Sequence, residues 1–327
     1  MEKLIVAFAV ALVVTLLFGP LVIPVLQRLK FGQNIRQDGP SRHLKKAGTP
    51  TMGGLVFLAG VLVSSLLLAR DYIDGMLVLG TAVGFGIIGL LDDYLKVVLK
   101  RPLGLRAREK LSGQLVLAAA LAFLAMFTAG RGTGLMVPYS GLFVDGGISL
   151  DLGFGLFIFL AILVVVGTAN AVNLTDGLDG LAAGVSLACA LAFSLIAAVV
   201  DKTGVAVVMA ALAGGCFGFL YYNRHPARVF MGDTGSLALG GALGAAAVLT
   251  RSELFLIVIG GIYVLETLSV IIQVFSFQLT GRRVFRMSPL HHHFELGNWS
   301  ENRVVVTFWA ASVMFAALGL AGLYRLF

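Results

Sequence analysis

Apolar runs of membrane-crossing length recur from one end of the chain to the other, and polar residues gather in the links between them. The runs lie near 4–26, 51–69, 75–99, 111–129, 154–172, 181–200, 205–221, 236–249, 254–279 and 303–327. A helix needs about 20 apolar residues to cross roughly 30 Å of hydrocarbon. Within lipid every backbone N–H and C=O must be satisfied inside its own segment, so the pattern predicts helices rather than open strands. The expected fold is an all-α polytopic membrane protein of about ten transmembrane helices. No linker interrupts the pattern, so residues 1–327 read as a single integral domain. The first run is too long for the apolar part of a signal peptide and lacks a small-residue cleavage site. The run near 236–249 is short and rich in Gly.

Composition agrees with this class: 58% of residues are hydrophobic and only 13% charged, against about 25% charged in soluble domains. The net charge of +7 would suggest nucleic acid if the charges were clustered on one soluble face. Instead they mark topology. Alternate links hold Arg28, Lys30, Arg36, Arg42, Lys45 and Lys46, then Lys96, Lys100, Arg101, Arg106, Arg108 and Lys110, then Arg224, Arg228, Arg282, Arg283, Arg286 and Arg303, which is 18 of the 24 basic residues. The positive-inside rule makes those links cytoplasmic and, with ten crossings, places both termini outside the cytoplasm. Cys189 and Cys216 fall inside predicted spans, with neither a disulfide framework nor metal-ligand spacing.

The outer links are short except 130–153. There Asp145-Gly146-Gly147, between alternating apolar residues, predicts a small outer β-hairpin. The inner links carry the unusual residues: Asp92-Asp93, the stretch from Asn170 to Gly180, the stretch from Asn223 to Ser236, and the stretch from Ser288 to Glu301. The orientation rests on Lys and Arg alone, yet it puts Asp92, Asp93, Asp176, Asp179 and Asp233 on one face.

Each of these features has a chemical and a plain structural reading. Asp92 and Asp93 form a metal site, a substrate site or a general base, or else a solvated pair facing Lys96; acids at membrane depth are costly and usually functional. Asp176 and Asp179, three residues apart, share one side of a helical turn, although Asp179 before a helical run also suits a helix cap. Phe230-Met231-Gly232-Asp233-Thr234-Gly235-Ser236 suits a phosphate- or metal-binding turn at a helix start, or a capped helix start. Phe230 suits stacking on a base, or anchoring at the membrane interface. Three consecutive His residues point about 100° apart on a helix, so His291, His292 and His293 do not readily share one metal. They suit hydrogen bonding to a phosphate or carboxylate. The run from Lys45 to Gly54 resembles a phosphate cradle but lacks P-loop spacing, and a basic anchor with a helix cap accounts for it equally well. Glu266 and Gln273 have no assigned role.

Taken together, Lys45 to Gly54, Leu91 to Lys96, Asn170 to Gly180, Phe230 to Leu237 and Pro289 to Glu295 resemble the bacterial phospho-N-acetylmuramoyl-pentapeptide transferases, a branch of the polyprenyl-phosphate sugar-1-phosphate transferases. The resemblance covers essentially the whole chain. It implies transfer of phospho-MurNAc-pentapeptide from UDP-MurNAc-pentapeptide to undecaprenyl phosphate, giving lipid I and UMP, with Mg²⁺, at the cytoplasmic face of the bacterial cytoplasmic (inner) membrane. It implies catalytic roles for Asp92, Asp93 and Asp233, with Asp233 the Mg²⁺ ligand and Asp92 orienting or deprotonating the lipid phosphate. Substrate binding would fall to Lys46, Thr51, Lys96, Lys110, Asn173, Asp176, Asp179, Asn223, Phe230, His291, His292 and His293. Phe230 would stack on uracil and Asp179 would bond to its edge. The ninth span would be broken or bent, leaving an apolar groove for the polyprenyl tail. The implied partners are both substrates and membrane lipid, with no nucleic acid and with a homodimer left open. A sister enzyme using UDP-N-acetylglucosamine and an ion-coupled transporter are the competing readings; the His run argues against the first and the lack of an internal repeat against the second.

Overall fold

The computed structural model describes residues 1–28, 48–101 and 103–326. The chain is a helical bundle: α1 (Glu2–Arg28), α2 (Gly54–Leu68), α3 (Ile73–Val97), α4 (Ala107–Phe127), α5 (Gly153–Thr175), α6 (Leu181–Val199), α7 (Thr203–Asn223), α8 (Gly232–Leu249), α9 (Glu253–Ile259), α10 (Gly261–Thr280), α11 (Leu290–Glu295) and α12 (Glu301–Ala321). Among the described residues, eight helices are long and apolar enough to cross a membrane: α1, α3, α4, α5, α6, α7, α10 and α12. This is a multi-pass membrane protein. The helix α2 is apolar but shorter, at 15 residues.

Burial sorts the helices into a centre and a rim. From Thr234 to Leu249, α8 is buried on all sides. It packs on α3 and α5, while α7 packs on α1, α2 and α6, and α12 closes over α6. The composition of α8 follows from this position. In lipid there is no hydrophobic drive between helices, so association depends on close backbone approach through small residues. A Cβ on Gly240 would lie 2.4 Å from the Ala169 Cα of α5. The Gly-rich run that made this helix hard to delimit in the sequence is what lets it occupy the centre.

The expected ninth span is broken. After Ile259 the helix stops, Gly260 leaves helical geometry, and α10 restarts at Gly261. The expected hairpin is present but built differently. Its strands, β1 (Gly134–Met136) and β2 (Ser149–Asp151), pair antiparallel, with Gly134 opposite Asp151. The connection is the long loop 137–148 with a 3-10 turn at Ser140–Leu142, and Asp145-Gly146-Gly147 lies within that loop rather than forming the hairpin turn. The reason is packing: Tyr139 N–H donates to the Gly322 carbonyl, 2.9 Å, and Gly146 N–H to the Arg325 carbonyl, 3.1 Å, so the loop is spread over the end of α12.

The same end of the bundle contains a fully buried ion pair. Arg131 binds Glu253 at the start of α9, donates to the Val248 carbonyl at 2.7 Å, and stacks 4.4 Å from the Phe157 ring centroid. It joins the ends of α4 and α8 to the starts of α5 and α9.

Candidate active site

At the opposite end from the hairpin, the last turns of α3 and α5 meet the first turns of α4 and α8. The close approach of α3 and α8 depends on Gly89. A Cβ there would lie 2.1 Å from the Asp233 carbonyl oxygen, so no other residue fits without separating the helices. One turn further along α3 come Asp92 and Asp93, with Lys96 beyond them.

The two adjacent acids face different ways. Asp93 is buried, and its carboxylate accepts from Asp233 N–H at 3.2 Å, Thr234 N–H at 2.9 Å and the Thr234 hydroxyl at 2.7 Å. It therefore caps the N-terminus of α8 from a neighbouring helix, using groups a helix start leaves unpaired. Asp92 accepts from Leu105 N–H at 2.7 Å through one oxygen and holds the Lys96 ammonium at 2.5 Å with the other.

Asp233 completes the cluster. One of its oxygens accepts from Lys96 at 3.0 Å and from Lys110 of α4 at 2.8 Å; the other accepts from the Asn173 amide of α5 at 2.9 Å. Asn173 also donates to Ser236 at 2.8 Å. Lys110 stands 4.0 Å from Asp92. Four helices thus contribute to one polar centre, in which Asp92 and Asp233 converge on a shared cation, the Lys96 ammonium. Oxygen donors converging on a cation at hydrogen-bond range suit a hard divalent ion, which takes one or two carboxylates and leaves its other positions to water and phosphate.

Asp176, just past the end of α5, is half-buried at the edge of this centre. Burial pushes its carboxyl well above the ordinary carboxylate range, and the negative charges of Asp233, Asp93 and Asp179 add to the shift. Asp176 thus senses both this cluster and the next.

The second cluster surrounds Asp179. Its carboxylate accepts from His225 at 2.9 Å and from Ala227 N–H at 3.1 Å. The α6 helix that follows begins at Leu181, with Gly180 (φ +79°) and not Asp179 at its cap position. Glu301, at the start of α12, accepts from Asp179 N–H at 2.9 Å and approaches His225 Nδ1 at 3.3 Å. Asn223 accepts from Gly180 N–H at 3.0 Å and donates to the Val229 carbonyl at 2.9 Å. Phe230 follows in the same loop, half-buried. Backbone bonds join this loop to the entry of α2: Phe230 N–H to the Pro50 carbonyl at 2.8 Å, Gly53 N–H to the Phe230 carbonyl at 2.8 Å, and Gly54 N–H to the Met231 carbonyl at 2.9 Å. Thr51 is buried behind the loop, because Gly232 (φ +72°) has Thr51 Oγ1 and Asp93 Oδ2 where a Cβ would stand. Lys46 lies outside the described residues.

The three His residues diverge, as their spacing requires. His291 is fully buried against Gly177, with its N–H on Glu266 at 3.2 Å and its Nδ1 3.1 Å from the same carboxylate. His292 pairs with Glu295 at 2.8 Å, and His293 accepts from Arg286 N–H at 3.2 Å. His291 adjoins the 176–180 loop at Gly177. Glu266 is thereby the partner of His291, and Gln273 brackets the loop after α10 through Val284 N–H, Phe285 N–H and the Phe285 carbonyl. His225 and Glu301 are the residues the sequence did not single out. A lone His before Pro and a Glu opening a helix carry no motif, and only folding brings them to Asp179.

Similarity to known proteins agrees with this geometry. Residues 75–251 match the model of glycosyl transferase family 4, and residues 46–58 match phospho-N-acetylmuramoyl-pentapeptide-transferase signature 1. Proteins named phospho-N-acetylmuramoyl-pentapeptide-transferase are similar along nearly the whole chain. The one from Pelotomaculum thermopropionicum is 69% identical, covering 98% of both chains. That from Desulforudis audaxviator is 62% identical over 99% of both, and that from Desulforamulus reducens is 60% identical over 97% of this chain and 94% of its own. The chain belongs to the phospho-N-acetylmuramoyl-pentapeptide-transferase family.

Proposed function

We propose that this protein transfers phospho-MurNAc-pentapeptide from UDP-MurNAc-pentapeptide to undecaprenyl phosphate at the cytoplasmic face of the bacterial inner membrane, releasing UMP and forming lipid I. The observation that carries the reading is the convergence of Asp92, Lys96, Lys110, Asn173 and Asp233 at one end of the bundle, in a chain 69% identical to a protein bearing that name. The reaction brings two polyanions together, so it needs cations and a position where a soluble and a lipid substrate meet.

In this reading residues 1–327 act as one domain. If α2, α8 and the α9–α10 pair each cross once, the bundle has ten crossings, with both termini outside. Asp233 would hold Mg²⁺, which when bound would offset the charge of the diphosphate. An oxygen of the lipid phosphate attacks the sugar-linked phosphorus. A new P–O bond forms there, the bond to the bridging oxygen breaks, and its electrons leave with UMP. Direct attack is favoured over a covalent Asp92 intermediate because Asp92 is only 2% exposed and both of its oxygens are engaged. Asp92 then acts by orienting Lys96 toward phosphate. Asp93 serves the site by fixing the start of α8, and with it Asp233. Lys110, Lys96 and Lys46 would bind phosphates, with Thr51 behind them. Phe230, Asp179, Asn223 and Asp176 would form the uridine side, and His291, His292 and His293 would lie toward the sugar and peptide.

The test is UMP release by purified protein given UDP-MurNAc-pentapeptide, undecaprenyl phosphate and Mg²⁺. No UMP, beside an active control enzyme, overturns the proposal.

A further inference from the structure

Three separate pieces of chain meet at Asp179: the loop 176–180, the loop 224–231 that carries Phe230, and the start of α12. Their donor and acceptor atoms are closely matched. His225 Nδ1 lies 2.9 Å from Asp179 Oδ2 and 3.3 Å from Glu301 Oε2. Glu301 uses its other oxygen to accept from Asp179 N–H at 2.9 Å. The three side chains could be taken for a metal site, since one ligand atom from each lies within 4.8 Å of the others. Their separations are those of direct hydrogen bonds, which explains the grouping without an ion. Asp179 is held at both its backbone and its side chain by residues from two other elements, and one of those elements leads directly to Phe230.

We infer that His225 and Glu301 are positioning residues that fix the Asp179 carboxylate relative to Phe230, and so set the protein's preference for a uracil base. The inference rests on the reading above that this pocket takes the uridine end of the donor. The base chemistry gives it content. Uracil presents an N3–H that a carboxylate accepts, whereas cytosine presents a bare N3 lone pair that a carboxylate repels. A misplaced carboxylate weakens the first interaction and relieves the second. Sites built to hydrogen-bond a donor reject analogues lacking it, because a buried acceptor is left unpaired. Stacking on Phe230 alone would not distinguish the two pyrimidines, since each offers a π face.

The experiment measures UMP and CMP as competitive inhibitors of the intact enzyme, and their direct binding by calorimetry, in the wild-type protein and in His225→Ala, His225→Asn and Glu301→Gln. Asn carries an amide donor near the position of the His Nδ1. We expect the wild type to prefer UMP by at least tenfold. In His225→Ala that preference should fall toward unity, the KM for the uridine donor should rise about tenfold, and the KM for the lipid acceptor should stay unchanged. His225→Asn should restore most of the preference, and Glu301→Gln should fall between. If His225→Ala keeps the wild-type UMP/CMP ratio, or if all variants lose stability and both substrates' KM values together, the inference is overturned and His225 merely joins loops. Should His225→Ala not fold, the ratio in Glu301→Gln and His225→Asn decides in the same way. Absence of UMP release by the wild type would instead defeat the underlying reading of the reaction.

Discussion

At the level of single residues, two acids one position apart do different work. Asp93 is spent on the backbone of α8 and Asp92 on Lys96, a division that adjacency on a helix makes unavoidable because neighbours point about 100° apart. Asp233 accepts from Lys96, Lys110 and Asn173 and so ties α3, α4 and α5 to α8. Asp233→Asn removes the charge while keeping the shape. Turnover should fall by roughly 10²-fold or more, the scale at which loss of one electrostatic contributor to a transition state is felt, while membrane insertion persists. A magnesium titration of UMP release checks this; an unchanged magnesium dependence would refute Asp233 as the ion's ligand. Asp176 offers a test with the opposite sign. Its carboxyl is held well above its unfolded value by burial and by neighbouring acids. As pH rises past the ordinary carboxylate range, the unfolded chain releases its proton before the folded protein does, so stability is lost with rising pH. Asp176→Asn cannot ionise. In the absence of substrates and magnesium it should melt at a higher temperature than the wild type at pH 7 and show a flatter dependence on pH between 5 and 8, read by thermal unfolding in detergent.

Elements are held in register by close approach and by a few buried polar ties. Gly89→Ala places a methyl against the Asp233 backbone. Overpacking of this kind costs about 1–3 kcal/mol, and it separates Asp92 from Asp233, so activity should fall further than stability. Gly80→Ala is the control, because a Cβ there meets nothing within 4 Å; equal activities for the two variants would show that the spacing of α3 and α8 is unimportant. At the far end, Arg131→Met leaves Glu253 buried without its paired guanidinium. Breaking a buried pair from one side costs about 3–5 kcal/mol, whereas Arg131→Met combined with Glu253→Leu should recover much of that loss. Denaturation of the single and double variants measures it. The hairpin near these residues shows how far a turn motif can mislead: Asp145-Gly146-Gly147 has the right residues for a tight turn, but the packing of loop 137–148 against Gly322 and Arg325 sets where the strands pair.

Across the whole molecule, the acids gather at the end of the bundle to which the positive-inside rule assigns the cytoplasm. Lys and Arg alone assigned one set of links to the cytoplasm, and two of the described ones bring Asp92, Asp233, Lys96 and Lys110 into contact at one end of the bundle. The expected orientation is tested by labelling with a membrane-impermeant thiol reagent on intact cells. Asp145→Cys, at an exposed position on the hairpin loop, should react, and Lys100→Cys should react only after the membrane is opened. The natural Cys189 and Cys216 are buried and should contribute little background. The reverse labelling pattern would invert the bundle.

The helices, the single polar face and most of the centre could be read from the linear chain. Bilayer thickness imposes a length on every crossing, and Lys and Arg resist translocation, so both leave a local mark in the order of residues. The motif acids likewise announced themselves, since a carboxylate is costly near hydrocarbon. What each acid touches was a matter for folding alone. That Asp93 caps α8, that Asp179 is gripped by His225 and Glu301, that His291 turns inward to Glu266 while its neighbours turn away, and that Gly89 must be a glycine are all facts about contacts between segments distant in sequence. Such contacts depend on which helix faces are brought together, and the chain carries no local signal for that.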